Sequence, residues 1–236
     1  MQLENLKRLV MNLGAKLTFL EQFPLFTGLN AAEKEMLSQM VELKSKPKFS
    51  YVYLHGDASD RIFFLIKGVV KIGSHSSDGK EVIKTILHPL SMFGELGVVG
   101  EPYRKDFARV MNSDAQFFSL KVEDFKRLMR SNNTVTSRVL NIVGERLRSV
   151  ENRLESLIFK DARTRIIDFI KDTADKRGRQ VGFETLIKHS LTQQDIANIT
   201  GTSRQTVTSV LNELKKDNQI YFTRKSILVR DLSSLV

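Results

Sequence analysis

Residues Leu191–Leu214 read LTQQDIANITGTSRQTVTSVLNEL, and their spacing predicts two short helices meeting at a corner. Thr192 offers a hydroxyl to cap the first helix, whose Ile196, Ala197 and Ile199 fall on one side. Gly201 suits the left-handed backbone that a tight corner needs. Ser203 can cap the second helix, where Val207, Val210, Leu211 and Leu214 recur at intervals of three and four and form a stripe to be buried. The opposite face carries Arg204, Gln205, Thr208, Ser209 and Asn212. Arg pairs bidentately with guanine, Gln with adenine, and Ser or Thr with either, whereas a merely solvated face is dominated by Lys and Glu. The stretch therefore reads as a helix-turn-helix directed at double-stranded DNA, with an ordinary two-helix corner as the competing interpretation.

Composition supports an anionic partner. The chain has 236 residues, enough for one large or two ordinary domains, and a formal net charge of +10. Within the motif Arg204 is outweighed by Asp195 and Glu213, so attraction to phosphates is expected from Lys188, Lys215, Lys216, Arg224 and Lys225 around it. With 0 cysteines there are no disulfides, thiolate metal sites, cysteine-ligated clusters or cysteine nucleophiles. The 4 histidines, His55, His75, His88 and His189, show no metal-ligand spacing. No metal or cofactor is expected. Near the N-terminus Leu3, Leu6, Leu9, Val10, Leu13, Leu17 and Leu20 are interrupted by Glu4, Lys7, Arg8, Asn12 and Lys16, which predicts an amphipathic docking helix and not a signal peptide or membrane span. The expected location is the cytoplasm, with no membrane partner.

A second helix is predicted from Ala31 to Val41, capped by Asn30. From Lys46 to about Leu120, short runs rich in β-branched and aromatic residues alternate with Gly, Asp, Ser and Pro, and Asp78-Gly79 marks a hairpin. Many short strands with close turns predict a barrel or roll. Helical character returns at Val122–Met129. Then Leu140, Val143, Leu147, Val150, Leu154 and Leu157 recur every three or four residues along one long helix, a heptad seam suited to a second copy of the chain. Glu145, Arg146, Arg148, Glu151, Arg153 and Glu155 read as its charged flanks, and Val135, Val139 and Ile142 as an edge toward the chain's own core. A hinge at Lys160–Arg163 opens another helical domain through Ile166, Ile167, Phe169 and Ile170. Gln219–Phe222 and Ser226–Val229 predict a hairpin around the basic Arg224 and Lys225, the wing of a winged helix. The candidate DNA contacts are Thr192, Gln193, Thr202, Ser203, Arg204, Gln205, Thr208, Ser209, Arg224 and Lys225.

The order of these parts resembles the Crp/Fnr family of bacterial transcription regulators. The resemblance rests on PLFTGL at Pro24–Leu29, FFLIKGVVKI at Phe63–Ile72, DGKE at Asp78–Glu81, FGELG at Phe93–Gly97 and TSRQTV at Thr202–Val207, with the seam helix between them. It implies an α+β fold: an N-terminal cyclic-nucleotide-binding-like β-roll of double-stranded jelly-roll type, a long dimerisation helix and a C-terminal winged helix-turn-helix. The expected divisions are residues 1–132, 133–160 and 161–236. It implies a homodimer reading a palindrome, with Arg204 as the guanine-reading arginine, and RNA polymerase as a further partner. Gln205 stands where many members have Glu, and Ser209 where the catabolite activator has another arginine, so a different half-site is expected.

The same resemblance defines a candidate effector pocket at Gly94, Glu95, Leu96 and Arg104. Nucleotide-binding members hold the cyclic phosphate with an Arg-Ser pair beyond the GEL turn, and here Asp106 and Phe107 occupy that place. The adenine-contacting Thr-Ser pair aligns with Val150 and Glu151. Cyclic AMP is therefore not the expected effector, which stays unknown. The alternative is a cyclic-nucleotide-responsive regulator whose shifted loop uses Arg104 and Lys105. Iron–sulfur sensing fails for want of cysteine, and haem would have to rely on an isolated histidine such as His75. A protein-interaction module without DNA binding is a further alternative. An enzyme is not expected, since no nucleophile–base pair, phosphate loop or metal motif stands out.

Overall fold

The computed structural model describes residue 14 and residues 16–235, and most of the expected N-terminal docking helix lies outside them. The chain divides into two compact units: residues up to Ser74 together with Ile86–Arg146, and His75–Thr85 together with Leu147–Val236.

Two antiparallel sheets form the roll, and all of their residues except His75 and Glu81–Thr85 fall in the first unit. Strands β1 (Glu42–Lys46), β3 (Arg61–Lys67), β6 (Met92–Phe93) and β8 (Ala115–Lys121) form one, ordered β1-β8-β3-β6. Strands β2 (Tyr51–Tyr53), β4 (Val70–His75), β5 (Glu81–Leu87) and β7 (Phe107–Val110) form the other, ordered β2-β7-β4-β5. The run RIFFLIK in β3 is apolar without alternation because both faces are covered. Phe63 and Leu65 join Val70, Ile72, Phe93, Val110 and Phe117 in one core cluster. Ile62 and Phe64 join a second cluster with Phe23, Phe26, Phe125, Val135 and Val139, in which helices cover the sheet. Those helices are α1 (residues 16–22), α2 (Ala31–Met40), α3 (Val122–Ser131) and the start of α4 (Asn133–Phe159). Asn30 caps α2 with a full capping box through Glu33. The Lys16 ammonium donates to Ser38 O and Val41 O, 3.0 and 2.8 Å away, satisfying carbonyls at the other end of α2. In the run YVYLHGDASD only Tyr51–Tyr53 is strand, because a turn closes at once, Asp57 accepting from Leu54 N at 2.8 Å. The hairpin at Asp78-Gly79 forms with a wider loop, Ser76 N donating to Lys80 O at 2.9 Å.

The second unit contains α5 (Ala162–Arg177), α6 (Gln193–Thr200) and α7 (Arg204–Lys216) against a four-stranded sheet ordered β11-β12-β10-β9. The wing strands β11 (Ile220–Phe222) and β12 (Ser226–Val229) fall where the sequence placed them. Strands β9 (Arg179–Val181) and β10 (Glu184–Lys188) were not expected; their signal was the alternation of buried Thr185 and Ile187 after Gly182. The hinge contracts to residues 160–161, since Asp161 caps α5 by accepting from Thr164 N at 2.7 Å. Ile166, Ile167 and Ile170 are buried, and Phe169 is half-buried.

Candidate DNA-reading face and sensor pocket

The corner is assembled by the residues that the sequence offered for it. Thr192 makes a capping box with Asp195 at the start of α6, Gly201 adopts φ +65° at its end, and Ser203 caps α7 by accepting from Thr206 N at 3.0 Å. Val207, Val210, Leu211 and Leu214 are buried. With that stripe fixed inward, the opposite face of α7 is left outward. Arg204, Gln205, Thr208 and Ser209 line an open concavity of about 500 Å3. The Arg204 guanidinium and the Gln205 amide make no hydrogen bond or ion pair among the described residues. Thr208 is committed in part, its hydroxyl 2.8 Å from Gln193 Oε1 and 2.9 Å from Arg204 O, which ties α6 to α7. Thr202 is half-buried, Thr192 and Ser203 are exposed, and Arg224 and Lys225 stand exposed in the wing turn.

Two arginines hold this corner from behind, and sequence reading missed both roles. The last carbonyls of a helix lack intrahelical donors. Arg153 of α4 supplies donors to Asn198 O, at 3.3 Å, and to Ile199 O. Arg165 of α5 supplies them to Thr200 O, at 2.9 Å, and Gly201 O, at 3.2 Å. Arg153 also reaches Ile83 O at 2.6 Å, so it is half-buried and not a solvated flank of the seam. Burial holds its guanidinium below the ordinary arginine range. A Cβ at Gly201 would come within 2.8 Å of Leu157 Cδ2 as well as straining the left-handed backbone. Gly201→Ala is therefore expected to destabilise the protein by about 1–2 kcal/mol, read as a lowered urea midpoint at unchanged slope; an unchanged midpoint would show that the corner tolerates a side chain.

Along α4, Leu140, Leu147, Val150, Leu154 and Leu157 are 64, 58, 64, 58 and 46% exposed, and Val143 36%. Val135 and Val139 are buried, as the second apolar edge predicted, and Ile142 packs partly against the same core.

In the candidate effector pocket, the polar groups pair with one another. Gly94 is left-handed at φ +79° and opens a short turn over Glu95–Gly97. Arg104, 4% exposed, donates from Nη1 to Gly94 O at 2.9 Å and from Nη2 to Arg61 O, and its guanidinium lies 4.4 Å from the centre of the Tyr53 ring. Glu95 is buried and ion-paired with Arg146 of α4, which also donates to Met92 O. Arg146, too, is half-buried and not the charged seam flank that periodicity suggested. Asp106 is buried and bonded to the Tyr53 hydroxyl; burial first, then that carboxylate, push the phenol above its usual range. Leu96 is 42% exposed and stands apart from this set. Lys105 is 3.5 Å from Glu101 at the surface, so Arg104 and Lys105 do not form one clamp. Asp106 is a buried anion, Glu95 is paired with Arg146, and Arg104 donates to backbone carbonyls. No group of His, Asp and Glu among the described residues has metal-binding geometry. No described helix is long and apolar enough to cross a membrane.

A β-roll, a long helix and a winged helix-turn-helix define a DNA-binding transcription regulator with a sensor-type domain. The sequence matches a cyclic nucleotide-binding domain over residues 43–132 and a Crp-like helix-turn-helix domain over residues 164–236. The chain belongs to the Crp/Fnr family of transcription regulators. It is 29% identical over 211 residues to a CRP-like cAMP-activated global transcriptional regulator of Mycobacterium tuberculosis, covering 89% of this chain and 94% of that protein. It is 26% identical over 209 residues to a global nitrogen regulator of Synechocystis sp., covering 88% and 92%. In fold it is similar to a CooA variant from Carboxydothermus hydrogenoformans, with TM-score 0.73, 22% identity and coverage of 84% and 87%. FixK2 from Bradyrhizobium japonicum gives TM-score 0.72, 19% identity and coverage of 83% and 95%.

Proposed function

We propose that this regulator is a homodimer that reads a palindromic DNA site, each protomer laying α7 in the major groove. Residues 1–132 sense, 133–160 dimerise and 161–236 read DNA. The observation that carries this is the outward face of α7, where the Arg204 and Gln205 side chains have no partners among the described residues while the stripe behind them is buried. Arg204 reads a guanine, Gln205 and Ser209 adjust the neighbouring bases, and Thr192, Gln193, Thr202, Ser203, Arg224 and Lys225 contact the backbone. The exposed apolar seam supports dimerisation, which sets two recognition helices about one turn of DNA apart, roughly 34 Å. Cyclic AMP is not the effector in this reading, because Asp106 and the Glu95–Arg146 pair leave no place for a cyclic phosphate. The protein acts in the cytoplasm on double-stranded DNA, with RNA polymerase as its downstream partner.

Selection of bound sites from random DNA, with and without cyclic AMP, tests this. The expected product is one palindrome in both conditions. Arg204→Ala is expected to lose about 1–3 kcal/mol on that site, concentrated at one base pair of each half. Unchanged affinity and preference would remove Arg204 from base reading, and a requirement for cyclic AMP would refute the effector assignment.

A further inference from the structure

Thr208 and Gln193, each half-buried, meet across the corner between α6 and α7, although the sequence offered them as separate DNA contacts. Thr208 also lines the concavity formed with Arg204, Gln205 and Ser209, so the pair stands at the edge of the reading face. Its Oγ1 is 2.8 Å from Gln193 Oε1 and 2.9 Å from Arg204 O. A hydroxyl carries one proton and both neighbours are acceptors, so only one of them can take it. Arg204 O lies four residues before Thr208 within α7 and has the Thr208 amide as its ordinary helical donor. Gln193 Oε1 has no other donor among the described residues. The proton therefore belongs to Gln193.

That proton fixes the amide. A side-chain amide has nearly the same shape either way round, and its partners set its orientation. With Oε1 held by Thr208, the Nε2 protons of Gln193 are left as donors, and no acceptor meets them among the described residues. Turned over, the same amide would present an oxygen in their place. An oxygen repels a DNA phosphate, whereas an N–H donates to it. Gln193 is the first residue of α6, and the amides that open a helix favour an anion at the same end.

We propose that Thr208 is a positioning residue: its hydroxyl holds the Gln193 amide so that Nε2 donates to a phosphate of the DNA backbone, and it reads no base itself. The proposal rests on the DNA-reading assignment of α7 and deepens it, giving each protomer one backbone contact that depends on α6 and α7 together. The hydroxyl at 208 contributes affinity without sequence preference, in contrast to the Arg204 guanidinium.

The test is DNA binding by the full chain at one salt concentration, on the palindrome selected as above and on copies carrying a single methylphosphonate at each backbone position of both half-sites. Thr208→Val keeps the shape and removes the hydroxyl; it is expected to bind at least about fivefold more weakly, since two protomers each lose a contact, and to select the same palindrome. Thr208→Ser is expected to stay within about twofold of the parent. Gln193→Ala should lose as much as Thr208→Val, and adding Thr208→Val to it should cost nothing further, which a purely structural role for the hydroxyl would not produce. One methylphosphonate position is expected to weaken the parent and to leave Gln193→Ala and Thr208→Val unaffected. Additive losses in the double variant, an altered base preference in Thr208→Val, or one methylphosphonate profile shared by all chains would each overturn the proposal. A parent that selects no palindrome refutes the assignment of α7 and this role with it, whereas a parent that selects one beside variants that depart from these results refutes the role of Thr208 alone.

Discussion

A chain carrying Leu147→Asp together with Leu154→Asp is expected to sediment as a monomer and to lose most of its affinity for the palindrome while keeping its fold. Both side chains are 58% exposed in the single chain, so their replacement opens no cavity in its core. In a dimer packed along the seam, each protomer would bring two carboxylates against its partner. Burying an unpaired ion costs several kcal/mol, and the lost leucines remove about 2 kcal/mol of apolar burial each. Association is then out of reach at micromolar concentration. The effect on DNA follows from valency: two half-sites held by one linked reader gain about 100- to 10,000-fold over one half-site alone. Sedimentation equilibrium read beside far-ultraviolet circular dichroism separates assembly from folding. A dimer of unchanged stability would place the interface elsewhere on the chain.

The second large effect is expected at Arg153. Its guanidinium bridges the backbone of the β4–β5 hairpin at Ile83 and Lys84 to the end of α6 at Asn198 and Ile199. Arg153→Met keeps much of the side-chain length and removes every donor. Water can replace the exposed contact at Lys84 O, which moderates the loss, but the buried Ile83 loses its side-chain donor and the end of α6 loses a charged cap. A destabilisation of about 2–4 kcal/mol is expected, taking about 1.5–3 kcal/mol for a hydrogen bond to a charged group and discounting the exposed contacts. Hydrogen exchange gives the local signature: the Gly201 and Thr202 amides, both bonded to Ala197 O at the end of α6, should lose protection ahead of the amides of α7. Arg153 touches no base in the proposed complex, so reduced DNA affinity in this variant would report how α7 is presented. Full retention of amide protection would show that Arg165 alone secures the corner.

The parts legible in the sequence were those specified by near neighbours along the chain. Thr192, Gly201 and Ser203 act on residues within a turn or two of themselves, and the α7 stripe is a matter of spacing. The same holds for Asn30 at α2 and the wing strands. The roll was readable as a class because its strands are short and turn-bounded, although their pairing into two sheets joins residues as distant as Glu42 and Ser119. Side chains acting over long separations were not legible. Arg146 and Arg153 carry no local mark that distinguishes them from Arg148, yet two are drawn inward by Glu95 and by open carbonyls while Arg148 stays exposed. The contacts inside the pocket were hidden for the same reason: the GEL turn offered Gly94, Glu95, Leu96 and Arg104, but nothing local marked the approach of Arg104 to the distant Tyr53 or the pairing of Glu95 with Arg146.

The near contact between Gly201 and Leu157 changes how variants of this protein are to be interpreted. Leu157 is both a residue of the proposed seam and the atom-level limit on what can stand at the corner, so assembly and reading share one side chain. Substitutions at the two positions are not independent: a larger residue at 201 pushes on the seam, and a smaller one at 157 makes room at the corner. Their effects should fail to add. A lesion recovered in the DNA-reading domain can thus present as a defect of subunit association, without any base contact having been lost.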